Sequence, residues 1–178
     1  MKIAILLPYK ENFSPEYPGA VSLFVNETSK LSKYKKDILV FGNTNFKKKY
    51  NLKYLNISLI KNPLISQTKE YVRKFSRIQK KYDISLIEVH NRPSYILQLK
   101  NIIPDKIFSL YFHNDPLSMN GSKTIEDRLF MLKNVEKIIF VSQWVKDRFF
   151  LNLDLKLSAK TEIVYPSVNK QKATKKYK

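Results

Sequence analysis

The chain has 178 residues, 43% of them apolar, and no cysteine. That length suits one domain with a substantial core, the apolar fraction excludes a disordered chain, and the missing thiols exclude disulfides and thiolate metal sites. Thirty-three Lys and Arg against 15 Asp and Glu leave a formal charge of +18, which attracts anionic partners in general, whether membrane surface, nucleotide or nucleic acid.

The lysines are scattered and accompany no recognition helix, zinc finger or aromatic RNA-binding signature, so no nucleic-acid partner is expected. Lys, Asn, Ile, Tyr and Phe also share A/T-rich codons, and genome composition explains much of the excess. No apolar run approaches the roughly 18 to 20 residues of a membrane span. The opening run Lys2 to Pro8 is too short for a signal peptide and lacks a small-residue cleavage site. A cytoplasmic protein is expected, with peripheral contact at the inner face of the cell membrane as an added expectation.

Ile3 to Leu7 is a continuous apolar run of the kind that forms a first parallel strand. A polar, proline-rich loop follows from Tyr9 to Gly19. Val21, Phe24, Val25, Thr28 and Leu31 then recur at helical spacing. Ile38 to Phe41 reads as a second strand closed by Gly42-Asn43, and Tyr54 to Ile60 as a weaker third. From Ser66 to Lys80, Tyr71, Val72, Phe75 and Ile78 mark one face of a basic helix. That face is either core or, with the cations between Lys69 and Lys81, a membrane-contacting surface.

Next come a strand over 84–89, a helix from Pro93 to about Ile102, and a strand over 107–112. Pro93 suits a first helical turn, where its missing N–H costs nothing. Thr124-Ile125-Glu126-Asp127 has the form of a capping box and starts a helix through about Lys133. Lys137 to Val141 is a further strand, Ser142 caps a helix from Gln143, and Trp144 on that helix is assigned to the core. Thr161 to Tyr165 is the last strand, ended by Pro166. Strands alternating with helices predict α/β architecture: a single Rossmann-like, doubly wound parallel sheet with helices on both faces. Residues 1–165 form the expected domain, and 166–178 an interdomain-linker start and basic tail.

The only two histidines open an echo, His90-Asn91-Arg92-Pro93 and His113-Asn114-Asp115-Pro116. Each follows an apolar strand, so both sit at the carboxyl edge of the sheet, where open α/β folds bind ligands. Imidazoles there can exchange protons near neutral pH. The alternative is that each His and Asn satisfies backbone groups in a turn before proline. His113 could donate to a sugar hydroxyl or a phosphate oxygen, or exchange a proton. Arg92 could grip an anion bidentately or simply be solvated. Glu88 is expected off the face of His90, as a paired carboxylate on a helix-covered side. Asp115 is either an acid or hydroxyl acceptor, or ordinary turn chemistry. Pro18-Gly19-Ala20, just before the first helix, lets backbone N–H groups approach a phosphate, although a tight turn reads equally well. No nucleophile–base–orienter trio is legible, and with two His and no Cys no metal site is expected.

Taken in order, these segments resemble the N-terminal half of a GT-B glycosyltransferase of the family 4 type. The match is carried by the Gly19 loop, Asp83 through His90, Phe108 through His113, Val135 through Ser142, and Thr161 through Asn169. The family reads D-x-x-x-x-H, an apolar strand ending in His, A-D-x-x-x-x-V-S, and x-V-I-x-N-G-V-D. Its Gly-Gly pair is Pro18-Gly19 here, and its N-G-V-D is Pro166-Ser167-Val168-Asn169. The resemblance implies that His113 faces the transferred sugar as the catalytic residue and that the Gly19 backbone touches the donor diphosphate. His90, Asn91 and Arg92 would line the acceptor side, with Asn114 and Asp115 as candidate sugar contacts and no cofactor. Retaining members of the family transfer a hexose without an obvious protein nucleophile, which agrees with the missing trio.

The implied partners are a nucleotide sugar and a glycan or glycolipid acceptor of cell-envelope polysaccharide or lipopolysaccharide assembly. The family's second Rossmann-like domain, which binds most of the donor, falls beyond this sequence. A separately encoded donor-binding domain is therefore an expected partner, and the chain is expected to be inactive alone. A non-catalytic remnant, half of a split enzyme and an unrelated small Rossmann-like nucleotide-binding module are the alternatives.

Overall fold

A computed structural model describes residues 1–60 and 65–166. Seven strands, β1 Lys2–Leu6, β2 Ile38–Gly42, β3 Tyr54–Asn56, β4 Ile84–His90, β5 Ile107–Phe112, β6 Lys137–Phe140 and β7 Thr161–Ile163, form one sheet. Its order is β3-β2-β1-β4-β5-β6-β7, and every neighbouring pair is parallel. Five α-helices connect it: α1 Ala20–Leu31, α2 Gln67–Ile78, α3 Pro93–Ile102, α4 Ile125–Asn134 and α5 Gln143–Phe150. The expected α/β, doubly wound sheet is the observed one.

The direction of travel across the sheet decides which face each helix covers. The chain moves from β1 towards β3, then crosses back to β4 and continues to β7. Parallel crossovers are right-handed, so the two directions lay their helices on opposite faces. Helix α1 covers one face alone, packing Val21 and Val25 on Ile3, Ile5, Leu7 and Val40. The other face carries α2 to α5, whose Phe75, Leu99, Met131 and Phe149 pack on Leu6, Val89, Leu110 and Phe140.

The helix starts follow the sequence signals. Thr124 Oγ1 accepts from the Asp127 N–H at 3.1 Å, and the Asp127 carboxylate accepts from the Thr124 N–H at 3.5 Å. Ser142 Oγ accepts from the Val145 N–H at 3.3 Å, and Pro93 occupies the first turn of α3.

Four expectations need correction. The third strand stops at Asn56, because this edge strand pairs only with β2 and its last partner there is Gly42. The last strand likewise ends at Ile163, opposite the final β6 residue Phe140. Trp144 is 58% exposed, not core; it lies one position off the Val145–Phe149 stripe that α5 buries. The α2 face at Tyr71, Val72 and Phe75 is fully buried, so it is core and unavailable to a bilayer. Residues 167–178 of the expected basic tail lie outside the described residues. Among the described residues no helix is long and apolar enough to cross a membrane.

Two buried tyrosines anchor the loop after β1. Tyr71 Oη donates to the Leu7 carbonyl at 3.0 Å, and Tyr95 Oη accepts from the Tyr9 N–H at 3.1 Å. Tyr71→Phe keeps the ring packing but removes the donor to a buried carbonyl. The expected loss is about 1–3 kcal/mol in urea unfolding. An unchanged midpoint would show that the Leu7 carbonyl finds another donor.

Candidate functional site

The site lies at the carboxyl ends of β1, β4 and β5, where the strand order reverses and ligands enter such sheets. His90 ends β4, and it pairs with Tyr111 of β5. His113 lies two residues beyond Tyr111, so strand alternation puts it on the same face as His90. The two rings meet: His90 Nδ1 and His113 Nε2 are 3.0 Å apart. On its other side, His90 Nε2 is 2.7 Å from Glu88 Oε1. Glu88 therefore shares the face of His90 instead of lying off it, because residues two apart on a strand point the same way.

Aromatic rings close this row. Tyr111 stacks on His90 with centroids 4.6 Å apart and planes 13° from parallel. Phe24 of α1 meets His113 edge-on at 5.0 Å. His90 is completely buried, with both ring nitrogens engaged. Its ring lies behind that of His113, whereas the resemblance implies a place lining the acceptor side. His113 is half-buried. Burial, and then the neighbouring His90, push its pKa down to about 3, so the ring is neutral at physiological pH. Glu88, His90 and His113 bond one to the next in a line and do not converge on a common point; among the described residues no group of His, Cys, Asp and Glu could hold a metal ion.

Asn91 extends the β4–β5 ladder past the strand ends. Its left-handed backbone (φ 54°) suits an asparagine. Its N–H donates to the Tyr111 carbonyl at 2.7 Å, and its Oδ1 accepts from the His113 N–H at 3.2 Å. Arg92 Nη1 donates to the Asn91 carbonyl at 2.7 Å. Asn91 and Arg92 also line an open cleft of about 460 Å³ with Thr68, Ser118, Asn120 and Lys123. One wall of that cleft depends on Gly121: at φ +91° any added Cβ would sit 2.6 Å from the Ser94 nitrogen.

Asp115 is tied down. Its carboxylate accepts from the Leu117 N–H at 3.0 Å and pairs with Arg148 at 3.0 Å. The hydrogen bond from Arg148 is the main reason its pKa is held below the usual carboxylate value. Asn114 beside it is exposed.

Gly19 is the N-cap of α1, with an ordinary extended φ of −87°. A Cβ added there would meet the Glu11 carboxylate, the far end of a side chain that can swing aside. Glu11 Oε1 accepts from the Ser22 N–H at 2.8 Å, occupying the place where a helix N-terminus favours an anion. Helix α1 thus joins two parts of the site, with an anion position at its start and Phe24 against His113. Sequence reasoning missed Glu11, Phe24, Tyr111 and Arg148. Only Phe24 left a signal, its helical spacing, and that pointed to packing.

This fold is that of one half of a GT-B glycosyltransferase. The Anabaena protein HepE, solved with UDP and glucose, superposes with a TM-score of 0.62 at 16% identity, over 95% of this chain and 45% of its own. The lipopolysaccharide outer core galactosyltransferase WaaB gives 0.59 at 16% identity over 93% and 45%. A UDP-N-acetylglucosamine 2-epimerase from Rickettsia bellii gives 0.56 at 8% identity over 92% and 44%. The chain therefore spans less than half the length of these structures, and at such identities the likeness establishes the fold alone. No protein-family model matches the sequence. No curated protein matches it either.

The depressed His113 pKa has a consequence for stability. An unfolded imidazole takes up its proton near pH 6.5, the folded one at about 3. Between those values the unfolded state binds more protons, so stability is full above pH 6.5 and falls as pH drops. His113→Gln should flatten the decline between pH 6.5 and about 5, a window above the titration of ordinary carboxylates. Urea midpoints across that range provide the measurement, and an unaltered slope would place the proton uptake elsewhere.

Proposed function

We propose that this chain is the acceptor-side, N-terminal half of a GT-B glycosyltransferase that transfers a hexose from a nucleotide sugar to a cell-envelope glycan or glycolipid. The observation that carries this reading is a neutral, half-buried His113 at the carboxyl edge of a GT-B half-fold, linked through α1 to an anion position at Gly19. HepE, with UDP and glucose bound, and WaaB, a galactosyltransferase, support the substrate class. In this reading His113 faces the transferred sugar and the backbone at Gly19 meets the donor diphosphate. Asn91 and Arg92 line the acceptor cleft, and the exposed Asn114 contacts sugar. The Arg148 pair leaves Asp115 in a supporting place. A donor-binding domain forms the opposite wall, because one wall alone neither excludes water nor fixes a diphosphate in reactive pose.

The Glu11 carboxylate makes this reading testable in the chain itself. A donor diphosphate at α1 must displace Glu11, so Glu11→Ala should weaken the free fold slightly and tighten nucleotide-sugar binding. An anion at a helix N-terminus contributes about 0.3–1 kcal/mol, so the gain is about two- to fivefold. Titration of the labelled chain with UDP-glucose should shift the amides of Gly19, Ser22, Phe24 and His113. Shifts confined to other regions, or none at millimolar ligand, would refute the donor reading.

Peripheral contact with an anionic membrane belongs to the same proposal. It is supported by the outward cations Lys69, Arg73, Arg77, Lys80 and Lys81, which remain exposed around α2. Polybasic attraction contributes about 1 kcal/mol per cation near the surface and fades with salt. The chain should co-sediment with anionic but not neutral vesicles, and release at high salt. Equal behaviour with both would leave codon bias as the source of the charge.

A further inference from the structure

The hydrogen bonds in the row Glu88–His90–His113 determine where the imidazole protons reside. A carboxylate only accepts, so the 2.7 Å contact places a proton on His90 Nε2. The row is taken with a neutral His90, whose ring has no solvent exposure. His90 Nδ1 is therefore a lone pair, and at 3.0 Å it accepts from His113 Nε2. A neutral imidazole has one N–H, and for His113 it is now used. His113 Nδ1 is left bare. It also reaches solvent: among the described residues, the buried polar side-chain atoms without a partner belong to Asn26, Gln79, Ser109 and Arg128.

We propose that Glu88 and His90 are positioning residues that hold His113 with a bare, outward Nδ1, making it an acceptor for a ligand hydroxyl. This reverses the sequence expectation that His113 donates to a sugar or phosphate oxygen. A lone pair attracts the hydrogen of a hydroxyl and repels a phosphate oxygen, so His113 selects the sugar part of a nucleotide sugar and not its diphosphate. Tyr111, stacked on His90, and Phe24, edge-on to His113, keep both rings from turning. That the hydroxyl belongs to a sugar rests on the glycosyltransferase reading, whereas the tautomer rests on the hydrogen-bonded row and a neutral His90.

Nitrogen-15 correlation spectra of the full chain test both parts. There are only two histidines, and His113→Gln assigns their signals. The expected wild-type spectrum shows His113 protonated at Nε2 and bare at Nδ1, with His90 protonated at Nε2 as well. A His113 protonated at Nδ1 would overturn the proposal, because the row would then run in the opposite direction. Glu88→Leu removes the acceptor that fixes the order, and His113 should become a mixture of tautomers. A single unchanged tautomer in this folded variant would remove Glu88 from its role. Glu88→Met, similar in length and lacking the carboxylate, gives the same reading if the leucine variant does not fold.

Adding UDP-glucose to the wild-type chain should shift His113 Nδ1 while leaving it unprotonated, and UDP alone should not. An equal response to UDP overturns hydroxyl acceptance in favour of a phosphate contact. No response to either overturns the sugar assignment, while the first spectrum still decides the tautomer.

Discussion

One rule of chirality organises this molecule. Every strand is parallel, so each connection must cross over the sheet, and right-handed crossing ties the face a helix covers to its direction of travel. The reversal between β1 and β4 leaves α1 alone on one face and gathers the other helices opposite. The same reversal parts the loops after β1 and β4, opening the edge where His90, Asn91, Arg92 and His113 collect. Fold and site are two results of a single topological turn.

The polar row at that edge is built from the sheet inward. Glu88 and His90 occupy positions of β4 that in an ordinary parallel strand would be apolar, since such strands are covered on both faces. A buried histidine is tolerable because both nitrogens have partners, and its stacked neighbour Tyr111 fills the remaining contact. The structure therefore commits a wholly buried residue to orienting a half-exposed one. Asn91 does a similar task on the backbone, lending the β4–β5 ladder one more rung, so that the His113 main chain is held as firmly as its ring.

Much of the architecture was readable in the sequence because the signals were local. Apolar runs gave the strands, and Pro93, Thr124 and Ser142 marked helix starts through chemistry confined to a few residues. The failures were of another kind. The ends of β3 and β7 depend on where a partner strand stops, which no local pattern records. Helical phase puts Val145 and Phe149 inside and leaves Trp144, expected in the core, facing out. At the site, spacing brought both histidines to one edge but could not show that one is buried beneath the other. Glu88 was misplaced by an error of alternation, and Glu11 entered from a loop whose path has no periodicity to follow.

The α3–β5 connector acts as a ruler. It is only four residues, 103–106, between the end of α3 and the start of β5. Lys100 Nζ donates to the Pro104 and Lys106 carbonyls at 3.0 and 3.3 Å, and Lys106 Nζ reaches the Ile84 carbonyl at 2.6 Å. Because side chains alternate along a strand, sliding β5 by one residue would exchange Tyr111 and His113 with Leu110 and Phe112. The sheet would still pair, yet the imidazole row would be severed and two aromatic polar groups driven into the core. The length of a distant surface loop is thus as much a part of the site as the histidines it aligns.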